Sequence, residues 1–258
     1  MSAPYNYNIP VPKVSLPEIK EKLKDDSLYY GEYGKQWLSN SDIYSLLNNP
    51  KNFRIKQEET KAMLEGRLFH TAMLEPHKLD DFFIVDVSSR NTKAYKEYVA
   101  ENNKMALLTH EAENILNVVD VMKSNIAMYD EIYKDGNIYE VPMIKMINGR
   151  NWKGKADIIC HDKIIDLKTT SDLSKFKYSA SKYNYDSQAF IYQELFGLPM
   201  EFYVIDKTTL QLAIYKPSEE FIHKGSLKVI EAMEVHERFF CNELDAEDIN
   251  QHIIHEIL

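Results

Sequence analysis

Three short stretches of alternating apolar and polar residues follow one another from Ile138 to Thr170, separated by Asn148-Gly149 and His161-Asp162. Alternation with period two predicts β-strands. Asn-Gly accepts the positive φ angles of a type I′ turn, so the first two stretches are predicted to pair as a tight hairpin. His161-Asp162 makes a second two-residue turn. Counting from the first turn, Ile147 faces Arg150 and Glu140 faces Asp157. Counting from the second, Cys160 faces Lys163, Asp157 faces Asp166 and Lys155 faces Lys168. Residues directly opposed on antiparallel strands share a face, with Cβ atoms ~5 Å apart. The pattern therefore predicts a row of Glu140, Asp157 and Asp166 flanked by two lysines. The other face, Ala156, Ile158, Ile165 and Leu167, is predicted to be core.

Elsewhere the periodicity is helical. Ser41 is the expected N-cap of a helix with Ile43, Leu46 and Leu47 inward, ended at Asn48-Asn49-Pro50. Residues 56–75 are predicted helical, with Met63, Leu64, Leu68, Phe69, Ala72 and Met73 inward. Gly66 within that helix costs about 1 kcal/mol relative to Ala, so it is expected where another backbone or DNA comes close. FFIVDV reads as a short strand, and a helix starts near Thr92. Thr109 caps a helix to about residue 134, with Ile115, Val118, Val119, Met122, Ile126 and Met128 in the core. Residues 186–196 form a helix ended by Gly197, on which Gln188 and Tyr192 share a face. EFYVID and LQLAIYKP make a last hairpin. Residues 1–36 read as an extended, proline-bearing arm with a partial helix over 18–24. Residues 219–258 read as an acidic helical tail that packs through Phe221, Leu227, Ile230, Met233, Phe239 and Phe240. The sum is an α/β fold in one domain spanning residues 1–258.

Composition narrows the class. The chain is 44 % hydrophobic and 28 % charged, ordinary for a soluble globular protein. No apolar run reaches the ~20 residues of a membrane span. The N-terminus lacks the basic and apolar regions of a secretory signal. The two cysteines, Cys160 and Cys241, fit a reducing compartment and cannot supply a four-cysteine iron–sulfur site. The net charge of −9 opposes a nucleic-acid partner, because phosphate contacts need Lys and Arg. The charge is uneven, however: Lys163, Lys168, Lys175, Lys177 and Lys182 fall close together while acids gather toward the C-terminus. The segment to Tyr185 interleaves Lys175, Lys177 and Lys182 with Phe176, Tyr178, Tyr183 and Tyr185. It reads as a loop whose rings either stack on bases or pin the loop itself.

The carboxylate row carries the chemistry. Like charges opposed on a sheet repel, and a divalent cation removes the repulsion. Mg²⁺ prefers carboxylate oxygens and retains water, and Lys168 on the same face can hold or deprotonate that water. This is the apparatus of metal-assisted phosphodiester hydrolysis. A solvated sheet face with mixed Asp and Lys gives the same alternation without chemistry, and a lone His70 beside an apolar stripe is ordinarily a core histidine.

Gly154-Lys155-Ala156-Asp157 followed after nine positions by Asp166-Leu167-Lys168-Thr169-Thr170 resembles the PD-(D/E)XK nuclease signature. It is most similar to the branch of exonuclease VIII (RecE), RecB-like nucleases and lambda exonuclease. Gln188 and Tyr192 match that branch's QxxxY motif, and Gly66 to Pro76 is similar to its Gly-xxx-His helix. Ala156 stands where the signature has Pro. The resemblance spans roughly residues 37 to 216. It implies a restriction-endonuclease-like core, a mixed β-sheet flanked by helices. It implies Asp157, Asp166 and the Leu167 carbonyl as metal ligands, completed by Glu140 and His70. Mg²⁺ is the expected ion, and Mn²⁺, a better partner for imidazole, can replace it. Lys168 would orient the water, with Gln188 and Tyr192 positioning water or DNA. Lys155, Thr169, Lys175, Lys177, Tyr178 and Lys182 are the expected DNA contacts. The implied activity is 5′→3′ resection of linear double-stranded DNA for phage-type recombination. A ring-shaped homo-oligomer, a single-strand annealing protein as partner and a location in the phage-host or bacterial cytoplasm are implied with it. A structure-selective or site-specific endonuclease and a catalytically silent DNA-binding protein are the alternatives.

Overall fold

The structure, a computed structural model, describes residues 15–241, 248–251 and 253. Four helices come first: α1 (Leu16–Lys22), α2 (Asp26–Tyr29), α3 (Asn40–Asn48) and α4 (Lys61–Leu74). Strand β1 (Ile84–Val85), helix α5 (Lys93–Asn102), strand β2 (Leu107–Leu108) and helices α6 (Thr109–Ser124) and α7 (Ile126–Ile132) follow. The three-strand unit is β3 (Ile138–Ile147), β4 (Arg150–Ile159) and β5 (Ile164–Thr170). Helices α8 (Phe176–Lys182) and α9 (Tyr185–Phe196), strands β6 (Met200–Asp206) and β7 (Leu212–Tyr215) and helix α10 (Glu219–Phe240) complete it.

Strands β3 to β7 form one sheet in sequence order, with only β5 and β6 parallel. A parallel pair cannot be joined by a tight turn, and α8 with α9 makes the crossover. Strands β5 and β6 are accordingly covered on both faces, β6 along its whole length and β5 over its first four residues. Ile165 and Leu167 of β5 pack with Leu64, Leu68 and Phe69 of α4 and Val118 and Met122 of α6. Ile164 of β5 and Phe202 of β6 pack with Ile43 and Leu46 of α3, Ile191 of α9 and Val229 of α10. The mixed sheet between helical layers is the α/β architecture expected from the sequence.

The first turn forms as the residue pair requires: Asn148 and Gly149 have φ of 49° and 82°, and Ile147 pairs with Arg150. The register brackets Glu140 against Asp157, between Tyr139–Ile158 and Val141–Ala156. At that position the ladder breaks. Glu140 adopts a left-handed φ of 49°, costly for a residue with a side chain. The β4–β5 pairing has the expected register but ends at Ile158–Ile165. Beyond it the Asp157 carboxylate takes the Leu167 N–H at 2.8 Å in place of a backbone carbonyl, and the strands part. Main-chain groups freed on β4 find other partners. Leu38 N–H donates to Asn151 O at 2.9 Å and Lys153 N–H to Leu38 O at 2.7 Å.

This break corrects two expectations. Lys155 does not lie in a ladder against Lys168; its ammonium pairs with Asp26 on α2. Ala156 packs in the cluster with Trp152 and Phe202, whereas Ile158, Ile165 and Leu167 belong to the cluster on the opposite face. An even period of two carries no sign of such an interruption.

Other departures are local. The partial helix expected over 18–24 forms as α1, with Ser15 and Glu18 as a capping box, but the rest of 16–36 is not an extended arm: Ile19, Leu23, Tyr29 and Trp37 make a small core of their own. The first 14 residues of the expected arm lie outside the described residues. Ser39, not Ser41, caps α3, because Asp42 three residues on returns a bond to the Ser39 N–H. The predicted helix to residue 134 is two helices, restarted by the Asn125 side chain on Met128 N–H. Residues 176–182 are helical instead of a loop. Met63, Ile126, Leu227, Ile230 and Phe240, expected inward, are exposed. In the tail, α10 ends at Phe240, and residues 242–247, 252 and 254–258 lie outside the described residues. Among the described residues a Cβ at Gly66 would meet nothing within 4 Å, so none of their backbone makes the close approach expected there.

Candidate active site

The parting of β4 and β5 opens a cleft of about 1170 Å³, larger than a typical small-molecule pocket. Glu140 from β3, Asp157 and Lys155 from β4, and Asp166 and Lys168 from β5 line it, with His70, Gln188 and Tyr192. Helix α4 buries Leu64, Leu68, Phe69, Ala72 and Met73, and His70 on the same helix meets Asp157 of β4 at the break. His70 Nδ1 lies 3.2 Å from Asp157 Oδ2. Helix α9 can approach β4 closely because position 154 is glycine: a Cβ there would come within 2.7 Å of Leu195 Cδ1 and 3.0 Å of the Tyr192 ring. That approach brings Gln188 Nε2 to Asp166 Oδ1 at 2.6 Å.

The acids divide into two groups. Ligand atoms of His70, Glu140 and Asp157 all lie within 4.8 Å of one another. Asp166 lies opposite Asp157 in the register but is not one of that trio. It is 1 % exposed and is held by Gln188 on one oxygen and by the Lys168 ammonium, 2.5 Å from the other. Leu167 enters the site through its N–H to Asp157.

Burial and crowding set the charge states. Burial, then the neighbouring Asp157, pushes the Glu140 carboxyl up to about 8. Burial, with Asp157 adding to it, pushes Asp166 up to about 6 against the opposing Lys168. Burial acts upward on Asp157 as well, but His70, Lys168 and the Leu167 N–H outweigh it and hold the carboxyl below its ordinary value. Burial opposes protonation of His70, yet Asp157 raises it. For Lys168, burial opposes the charge and Asp166, Tyr185 and Asp157 overcome it, so the amine stays an ammonium. A base at Lys168 would require the reverse shift. Two carboxylates and an imidazole, those of the Glu140, Asp157 and His70 trio, form a donor set that fits a divalent cation.

Tyr192 does something other than expected. Its hydroxyl donates to Lys155 O at 3.0 Å and accepts from Lys155 N–H at 3.3 Å, so it secures β4 where the ladder has opened. Tyr192→Phe would leave both buried main-chain groups unpaired and is expected to cost roughly 1–3 kcal/mol, measurable as a lower denaturation midpoint. An unchanged midpoint would contradict this role.

The expected DNA contacts are scattered. Lys155 is buried in the cleft wall against Asp26. Thr169, Lys175, Lys177, Tyr178 and Lys182 do not line the cleft; Lys175 pairs with Asp172 on the exposed surface, and Lys177 borders a separate small apolar pocket. The structure adds cleft residues that no sequence signal marked, among them Tyr30, Asn40, Tyr44 and Arg54. They come from segments whose position depends on how α2 and α3 dock.

Residues 45–245 match the family described as a PDDEXK-like domain of unknown function (DUF3799). No curated protein matches the chain. A candidate exonuclease from Eubacterium rectale has a similar structure, with a TM-score of 0.61 at 16 % identity over 91 % of this chain and 95 % of that one. Identity that low shows a shared fold. A phage-related exonuclease from Haemophilus somnus 129PT aligns over 78 % of this chain and 93 % of that one at 14 % identity, but its TM-score of 0.34 carries no weight. No helix among the described residues is long and apolar enough to cross a membrane.

Proposed function

Because this chain belongs to the PDDEXK-like family (DUF3799), we propose that its cleft hydrolyses phosphodiester bonds of DNA, as an exonuclease working from the ends of linear duplex. The observation that carries the reading is the juxtaposition of the His70–Glu140–Asp157 trio with the Asp166–Lys168 pair at one strand break. The shared fold with a candidate exonuclease supports the same reading.

His70, Glu140 and Asp157 would hold a divalent cation, with Asp166 and the Leu167 carbonyl completing its ligands. Mg²⁺ is the expected ion, with Mn²⁺ able to replace it. Bound there, the cation would offset charge on the phosphate and make a water molecule more acidic. Lys168 acts as a fixed positive charge, placed to orient water and to stabilise negative charge on the phosphate. Gln188 fixes the Asp166 carboxylate, and through it the lysine. The polarity proposed is 5′→3′, in recombination of the phage type, with a ring-shaped oligomer and a single-strand annealing partner.

The test is digestion of end-labelled linear duplex and of covalently closed circles, with Mg²⁺, Mn²⁺ or chelator. Linear DNA should be degraded with either ion, spared by chelator, and the circles should persist. Cleaved circles would replace the exonuclease with an endonuclease; intact DNA throughout would overturn the nuclease reading.

A further inference from the structure

Helix α9 meets the Asp166–Lys168 pair from one side with more than one residue. Gln188 takes the carboxylate. Tyr185, three residues earlier and so a neighbour on the same helix face, meets the ammonium. Lys168 Nζ lies 4.8 Å from the centre of the Tyr185 ring and 5.9 Å from that of Phe202. An aromatic face carries negative potential and attracts a cation placed over it, and the attraction grows where water is excluded. The Lys168 side chain is 16 % exposed, which puts this contact toward the strong end of that range. Tyr185 does not line the cleft, so its ring works behind the lysine and not against substrate.

The turn that delivers the ring is braced by neighbouring helices. Asn184, immediately before Tyr185, has a left-handed φ of 58°, which Asn tolerates better than most residues. Its carbonyl accepts from Asn40 Nδ2 of α3 at 3.1 Å, and its side-chain oxygen accepts from Lys228 Nζ of α10 at 3.0 Å. Lys228 also pairs with Asp186 at 2.9 Å. Helix α10 packs so closely on this turn that a Cβ at Gly225 would strike the Asp186 carbonyl. The residues on both sides of Tyr185 are therefore fixed, and the ring with them. Tyr192, at the other end of the same helix, is occupied with the main chain of β4.

Resting on the nuclease reading above, we propose that Tyr185 is a positioning residue for cleavage, its ring face holding the Lys168 ammonium where negative charge develops on the phosphate. An ion pair with one carboxylate oxygen leaves an ammonium free to swing about that oxygen. The ring supplies a further point of restraint, and α9 thereby controls both members of the pair.

Single-turnover cleavage of end-labelled linear duplex in Mg²⁺, over a range of protein concentrations, separates the limiting rate from half-saturation. Tyr185→Phe keeps the ring and should cleave within about twofold of wild type. Tyr185→Leu keeps apolar bulk without an aromatic face. It should lower the limiting rate by roughly 5- to 30-fold with half-saturation little changed. A residue that served packing alone would make the two variants alike once circular dichroism shows both folded. A second series keeps the ring and alters only its charge distribution. Phenylalanines carrying one, two and three ring fluorines at position 185 should lower the limiting rate stepwise, because each fluorine weakens the negative face. That series decides the matter if the leucine variant does not fold. A leucine variant as fast as wild type, or a rate indifferent to fluorination, would overturn the proposal and leave the nuclease reading standing. Wild type that leaves DNA uncut in both Mg²⁺ and Mn²⁺ would overturn the two together.

Discussion

Asp157→Asn should lower the rate of DNA cleavage in Mg²⁺ by about 10³-fold or more without unfolding the protein. The amide oxygen of Asn can still accept the Leu167 N–H, so the contact that holds β4 to β5 at the break survives. What is lost is a negative oxygen within 4.8 Å of His70 and Glu140. Single-turnover digestion of labelled linear duplex reads the effect, and far-ultraviolet circular dichroism confirms the fold. Lys168→Ala should be comparably inactive but also less stable, because it leaves the buried Asp166 carboxyl without its cation. Asp157→Asn therefore gives the cleaner result. Wild-type cleavage by both variants would remove the strand break as the seat of catalysis.

Glu140→Gln should make the metal-free protein more stable at alkaline pH, although it removes a proposed ligand. The folded carboxyl is pushed up to about 8 from an ordinary 4.5, first by burial and then by Asp157. Below about pH 4.5 both folded and unfolded chains hold the proton, so nothing is lost. As pH rises from there, the unfolded chain releases it while the folded chain retains it, and folding grows less favourable until about pH 8. Glu140 is half-buried, so solvent screening reduces the full effect, leaving on the order of 2–4 kcal/mol. Asp166, pushed up to about 6, adds to the loss in the acidic part of that window. Glu140→Gln abolishes the larger contribution. Its advantage over wild type in chelator should be absent near pH 4.5 and greatest near pH 8, as followed by urea denaturation. Mg²⁺ should reverse the order, stabilising wild type more than the variant. A pH-independent difference would contradict the account.

Much of this site was legible because the chemistry sits on a hairpin whose register a dipeptide fixes. Asn148-Gly149 can be read as a two-residue turn from the residues alone, and counting from it places Glu140 beside Asp157. Helix α4 was legible for another reason: its apolar stripe predicts the helix that carries His70 to Asp157. The ladder break was not legible. No residue type announces a left-handed Glu140, and the Asp157 carboxylate replaces a backbone acceptor where Tyr192 of α9 and Leu38, both distant in sequence, take main-chain groups of β4. Lys155 illustrates the consequence. Its register position suggested a lysine facing the substrate, but the ion pair with Asp26 comes from a helix far away in sequence that read as part of an extended arm. The cleft positions of Tyr30 and Tyr44 were invisible for the same reason, since they follow from how α2 and α3 dock.

The most direct test of the central claim is calorimetric titration of Mn²⁺ into wild type, His70→Ala, Glu140→Gln and Asp157→Asn near pH 8. A cation held by the trio should bind wild type with release of a proton, carried mainly by Glu140, and each variant should bind at least about tenfold more weakly. Glu140→Gln should also release little or no proton. Three variants that bind Mn²⁺ as tightly as wild type would show that these side chains do not form the metal centre.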